Sequence, residues 1–251
     1  RPEPLSSAKR LPRAAKQPAA APQGNYRVAD LYLHHATLTT VEVGDECVRS
    51  AVETNTLDFL AELRPGVTTM FVQVLGMEED FKHGWLERPQ RTLQATLSCL
   101  SMFKGTLRQY VLDDKGCVLI SCWGVPGFAH EDNENRAIMT AGYIRNALGE
   151  LDLDCKIGIA TGQAFCGLVG SAQRCEYAMM GSSVNLAARL MGSCAPNEIR
   201  VDETAHSRVH DKFVFDKLPR IKAKGYKRPV AVFIPVRTAQ SAHWSSLLRL
   251  A

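Results

Sequence analysis

The 251-residue sequence predicts an α+β fold, an α/β sandwich on a βαββαβ, ferredoxin-like core, and three observations carry that prediction. Short apolar runs rich in β-branched residues stand at V-T-T-M-F-V-Q-V-L (Val67 to Leu75), T-L-R-Q-Y-V-L (Thr106 to Leu112) and C-V-L-I-S-C-W (Cys117 to Trp123). Two segments of helical period alternate with these runs. The turn-like D-D-K-G, Asp113 to Gly116, joins the second and third runs as a hairpin.

Each element has a local reason. The first strand starts at Val67 and is stopped by Gly76. The helix after it carries Leu93, Leu97, Leu100 and Phe103 on one face, with Pro89 in its first turn and Gly105 as its stop. A second helix begins near Asp132, places Ala137, Ile138, Ala141, Ile144 and Leu148 on one face, and stops at Gly149. K-I-G-I-A-T and A-F-C-G-L-V-G, on either side of Gly162 and Gln163, read as another hairpin. A third helix opens after Gly181 and runs to Gly192, and strands at Glu198 to Val201, Phe213 to Leu218 and Val230 to Pro235 complete the body. A short helical stretch from Ala51 to Leu63 is expected to dock on it.

Composition bounds the function classes. With 45% hydrophobic and 22% charged residues the chain can bury a core, and it has neither an 18-residue apolar run nor the apolar stretch of a secretory signal. Membrane insertion and export are therefore not expected. Residues 1–27 hold six of the 30 Lys and Arg, one of the 26 Asp and Glu and five of the twelve Pro. Such a segment buries too little to offset its ordering entropy, so residues 1–45 are expected to be a disordered, basic Pro/Ala-rich tail or linker, 46–237 the domain and 238–251 a C-terminal extension. The remainder is near neutral, 24 basic against 25 acidic, which argues against a nucleic-acid partner. Eight Cys without C-x-x-C spacing, and no N-x-[ST], indicate reduced intracellular thiols. The first residue is Arg, so the chain is expected to be a piece of a longer protein.

The chemistry centres on the third helix. Asn185 and Arg189 are spaced to share one face, where an amide can hydrogen-bond a sugar oxygen and a guanidinium can clamp a phosphoryl group. On their own such residues are usually a solvated face. The ordered strings G-I-A-T-G-Q-A-F-C-G-L-V-G (Gly158 to Gly170) and E-Y-A-M-M-G-S-S-V-N-L-A-A-R-L-M (Glu176 to Met191) resemble the class III nucleotidyl cyclases. L-A-E-L-R-P-G-V-T-T-M-F-V-Q-V (Leu60 to Val74), D-K-G-C (Asp114 to Cys117) and W-G-V-P-G (Trp123 to Gly127) are similar to the second cyclase domain of soluble, bicarbonate-responsive adenylyl cyclases. The resemblance runs roughly from Thr56 to Val236.

The resemblance implies a domain that works head to tail with a complementary, metal-binding cyclase domain, in the same polypeptide or on another chain, to turn ATP into cyclic AMP and pyrophosphate. It implies that Asn185 and Arg189 are catalytic, contacting the ribose and the transition-state phosphate, and that Mg²⁺ or Mn²⁺ is held by two Asp of the partner. At the two metal positions this sequence has Gln73 and Cys117, an amide and a thiol where hard oxygen ligands are wanted, so no metal is expected here and a homodimer should be inactive. Base contacts fall on Lys115 for adenine, or on Asp113 in another register, which would favour guanine. The second base-reading position is Ala178, leaving only backbone carbonyls near Met179. Lys222 or Lys224, in the basic segment Lys217 to Arg228, matches the position that reaches the triphosphate. Two alternatives stay open: a catalytically silent cyclase-like module inside a larger assembly, and half of a guanylyl cyclase. The plain alternatives are a turn lysine in water for Lys115 and a solvated basic loop for Lys222 and Lys224. The expected location is cytoplasmic, with the cilium or flagellum as a place where the resembled family often works. His206 and His210 lie one helical turn apart, but no further ligands can be named for a metal there.

Overall fold

The computed structural model describes residues 62–77, 80, 83–84, 86–113, 116–125, 129–170, 175–222, 226 and 228–239. Eight strands, β1 (Glu62–Val74), β2 (Thr106–Asp113), β3 (Gly116–Trp123), β4 (Cys155–Gly170), β5 (Cys175–Met180), β6 (Ile199–Asp202), β7 (Phe213–Ile221) and β8 (Val230–Thr238), form one sheet. Four helices, α1 (Glu87–Met102), α2 (Asn133–Gly149), α3 (Ser182–Ser193) and α4 (Glu203–Val209), flank it. The strand order is β2-β3-β1-β4-β6-β8-β7, with β5 paired to β4. Its first four members, with α1 and α2 as crossovers, are the expected βαββαβ core.

The pleat divides the sheet into two unlike faces. Met70, Val72, Val74, Leu119, Trp123, Ile157 and Ile159 point to one side, where Ile138, Ala141, Ile144 and Leu148 of α2 and Leu100 of α1 complete the main core. Ala205 and Val209 of α4 join that side. Phe71 and Ala160 point the other way, against Leu186, Ala187 and Leu190 of α3.

Three expectations need correction. The run Lys156 to Gly170 is no hairpin: β4 is a single strand of 16 residues, and its far half pairs with β5 in a hairpin whose connection is 171–174. Gly162 and Gln163 look like a turn, but here a glycine clears room for a helix instead. On α1 the buried residues are Pro89, Thr92, Thr96, Cys99 and Leu100, while Leu97 is 39% exposed. Leu100 is buried and Leu93 packs against the main core as expected, but Thr92, Thr96 and Cys99 share that face, with the Thr92 hydroxyl donating to Met77 Sδ at 3.8 Å, and Leu97 turns outward. Strand β1 begins at Glu62, so the expected helical stretch Ala51 to Leu63 is strand where it is described and otherwise lies outside the described residues. So does the tail, and β8 runs through Thr238, one residue past the expected boundary.

Candidate functional site

Helix α3 lies against β4 because β4 offers it no side chains at two points. A Cβ on Gly158 would stand 2.2 Å from Ala187 O and 2.3 Å from Met191 N, and one on Gly162 would stand 2.8 Å from Ser183 Cβ. The two glycines are four apart on one face of the strand, and the residues they meet are spaced along the helix. The Ser183 hydroxyl donates to Gln163 O at 3.4 Å and fastens the first turn. Ser183, Leu186, Ala187, Leu190 and Met191 are thereby buried, which leaves Asn185 exposed and Arg189 half-buried on the outward side of the helix, one turn apart.

The structure places the other expected residues unevenly. Ala178 and Met179 sit half-buried on β5, opposite Gly167 and Cys166, immediately before α3. Met179 packs against the cluster of Val67, Cys122, Val125, Ala164 and Cys166, and its sulfur accepts from the Thr69 hydroxyl at 4.0 Å. Lys222 is exposed just after β7. Asp113 ends β2 opposite Gly116, while Lys115 and Lys224 lie outside the described residues.

One contributor was missed. Tyr226, inside the basic segment, packs against the α3 cluster and shares a hydrogen bond with Ser182 at the helix start, while burial holds its phenol above the ordinary range. The signal was a lone aromatic among six basic residues, and it tethers the segment that carries Lys222 beside α3.

Gln73 and Cys117 do not converge. Gln73 pairs with Val118 and Val74 with Cys117, so the alternating pleat sends the half-buried Gln73 to the α3 side and Cys117, 1% exposed, into the main core. There the thiol lies beside the Tyr110 hydroxyl, whose own pKa burial raises first and Cys117 further. These donors do not fit a pair of hard divalent cations. Among the described residues no group of three or more His, Cys, Asp or Glu could hold a metal ion. His206 stacks face to face on Phe233 at 3.7 Å, with Phe215 at its edge, and so serves the aromatic packing beneath α4. Cys99, Cys117, Cys122, Cys155, Cys166 and Cys194 are buried thiols that form no disulfide with one another.

A βαββαβ core whose α3 carries an outward Asn and Arg beside a basic segment defines a class, and comparison agrees. Residues 126–235 match the family of adenylate and guanylate cyclase catalytic domains. The chain carries a class III nucleotidyl cyclase catalytic domain.

Among individual proteins it is similar to adenylate cyclase type 10 of Rattus norvegicus, 31% identical over 178 residues. That match takes in 70% of this chain and 11% of the rat protein, so the chain spans about a tenth of the relative's length. The fold is shared with the adenylyl cyclase CyaB of P. aeruginosa, with a TM-score of 0.65, 21% identity, and coverage of 71% of this chain and 98% of that one. It is shared also with the guanylyl cyclase Cya2, with a TM-score of 0.61, 20% identity, and coverage of 72% and 96%. No helix among the described residues is long and apolar enough to cross a membrane.

Proposed function

We propose that this chain is the base-, ribose- and phosphate-binding half of an adenylyl cyclase, completed by a metal-binding cyclase domain of the same polypeptide or another chain. The observation that carries the reading is the pairing of Asn185 and Arg189 on the outward side of α3 with the absence of carboxylates at Gln73 and Cys117. One half of the chemistry is equipped and the other is not.

In this reading the 3′-hydroxyl of ATP attacks the α-phosphate and pyrophosphate leaves. Asn185 orients the ribose by hydrogen bonding, and Arg189 donates to the phosphoryl oxygens as charge gathers on them. Lys222 or Lys224 holds the triphosphate, brought near α3 by the Tyr226 tether, and Lys115 donates to the adenine ring. Mg²⁺ or Mn²⁺ on the partner's carboxylates would activate the attacking hydroxyl and neutralise phosphate charge. A cytoplasmic location goes with this reading, and no feature of the structure supports the cilium or flagellum.

A second reading, a silent cyclase-like module, draws on Ala178 and Met179. The first has no polar group, and the second turns its side chain into the core, so neither side chain reads a base. Guanine selection through Asp113 is the third reading. The purified 251-residue chain should make no cyclic nucleotide with Mg²⁺ or Mn²⁺. Paired with a carboxylate-bearing cyclase domain it should turn over ATP, and Arg189→Ala should then lower kcat by about 10²–10³ with little change in KM, the loss typical of one transition-state charge donor. Activity of the chain alone would overturn the half-site assignment. An Arg189→Ala pair as active as the parent would remove Arg189 from the chemistry, and a parent pair without turnover would favour the silent module.

A further inference from the structure

Three sulfur atoms gather on the α3 side of the sheet, in the apolar cluster of Val67, Cys122, Val125, Ala164 and Cys166, against which Met179 packs. Strand pairing brings them there from three strands. Cys166 of β4 and Met179 of β5 are direct cross-strand partners, and Cys122 of β3 is the direct partner of Thr69 on β1. Cross-strand partners share a face of the sheet, and the Thr69 hydroxyl joins the two pairs by donating to Met179 Sδ at 4.0 Å. The two thiols are near enough in space that Cys166 adds to the rise, up to about 12, that burial gives the Cys122 thiol.

The donor set is soft throughout. The remaining members of the cluster, Val67, Val125, Ala164 and the partly buried Val184, offer no polar side chain. Two thiols and a thioether suit a d¹⁰ monovalent cation of low coordination number, whereas Zn²⁺ wants four ligands and Mg²⁺ wants oxygens. Both cysteines are fully buried, while Met179 is half-buried on β5, a strand of six residues held by β4 off the main strand order. An ion therefore enters past the flexible methionine.

We propose that Cys122, Cys166 and Met179 form a three-coordinate site for a soft monovalent cation of the Cu(I) type, behind β5 and apart from the outward side of α3 that carries Asn185 and Arg189. Binding exchanges two S–H bonds for two Cu–S bonds and releases two protons to solvent, and the copper stays Cu(I) throughout. The bound unit carries one net negative charge, and the neighbouring Arg108, whose charge already favours the Cys122 thiolate, offsets it. Because protons must leave high-pKa thiols, affinity should strengthen as pH rises.

The test is anaerobic titration of the folded chain with Cu(I) against a chromogenic Cu(I) chelator, in a Cys47→Ala/Cys175→Ala background that removes two cysteines outside the cluster. The expected result is one retained equivalent with copper–thiolate absorption in the near ultraviolet, and far weaker retention of Zn²⁺. Cys122→Ala and Cys166→Ala should each abolish retention, and Met179→Leu, which keeps the volume, should weaken it several-fold. Cys155→Ala and Cys194→Ala should leave it unchanged, since the first thiol lies in the main core and the second donates to Ile157 O and Leu190 O at the end of α3. No retained Cu(I), equal retention in Cys122→Ala and Cys166→Ala, or an equal loss in Cys155→Ala or Cys194→Ala overturns the site. Zn²⁺ held as tightly as Cu(I) overturns the soft, three-coordinate assignment. If the cluster's alanine variants do not fold, parental Cu(I) affinity in Met179→Leu overturns it.

Discussion

The two faces of the sheet are held by opposite means. Against α1, α2 and α4 the strands present bulk: Met70, Leu119, Trp123, Ile157 and Ile159 meet Ile138, Ile144 and Leu148, all fully buried. Against α3 they present absence, because Gly158 and Gly162 let helix backbone approach strand backbone. Bulk can repack around a change, whereas a backbone contact cannot. The face that carries the candidate nucleotide residues is thus the less forgiving one, as the proposed function would require of a helix that positions Asn185 and Arg189.

The sharpest way to break this contrast is Gly158→Val. Its Cβ would overlap Ala187 O and Met191 N, neither of which is the end of a flexible side chain, so α3 must lift off β4. We expect a loss above about 4 kcal/mol or failure to fold, measured by urea unfolding. Gly149→Ala is the control, because nothing lies within 4 Å of that Cβ at the end of α2. It should stabilise by about 0.5–1 kcal/mol through helix propensity and reduced unfolded-state entropy. A Gly158→Val protein with the parent midpoint would show that α3 is not anchored by backbone contact.

A somewhat smaller effect separates the two positions where the family's metal carboxylates are expected. Cys117→Asp puts a carboxylate into the main core and should cost roughly 3–4 kcal/mol at neutral pH, whereas half-buried Gln73→Asp on the α3 side should cost under about 1 kcal/mol. Equal costs for the two would mean that the pleat does not divide them as described.

The same division explains what could be read from the sequence. The α2 stripe and the strands β1 to β3 were legible because bulk leaves a periodic apolar signal. The shared outward side of Asn185 and Arg189 on α3 followed from their spacing. The continuity of β4 was not, since a glycine that makes room for a helix looks like a glycine that makes a turn. The inward face of α1 was legible only through Leu93 and Leu100, because Thr92 and Thr96 count as polar though both are buried. The irregularity of β2 between Leu107 and Gln109 carried no signal, because it depends on how two strands pair and not on either alone.

The last and smallest effect lies at the seam between the faces, in Asp202. Its carboxylate caps α4 by accepting from Ala205 N at 3.0 Å and also accepts from Thr161 N of β4 at 3.1 Å, at 3% exposure. Burial pushes its pKa up to about 6 from 3.8, against the lowering pull of hydrogen bonds from Ala205, Thr161 and Thr204. A raised carboxyl pKa means that the folded state holds the proton more tightly than the unfolded chain does. The stability it contributes is therefore present below about pH 3.8 and is lost as pH rises through about 6, a difference of roughly 3 kcal/mol at most. Asp132 and Glu198, whose pKa values are lowered, act in the opposite direction, so the parent's own pH profile mixes the two. Asp202→Asn isolates the group, since it keeps an acceptor oxygen for both amides but does not titrate. The stability of Asp202→Asn relative to the parent, from urea unfolding at a series of pH values, should climb between pH 4 and 6 and level off above. A flat difference across that window would mean that Asp202 is solvated like a surface carboxylate, and that the seam is wetter than either face.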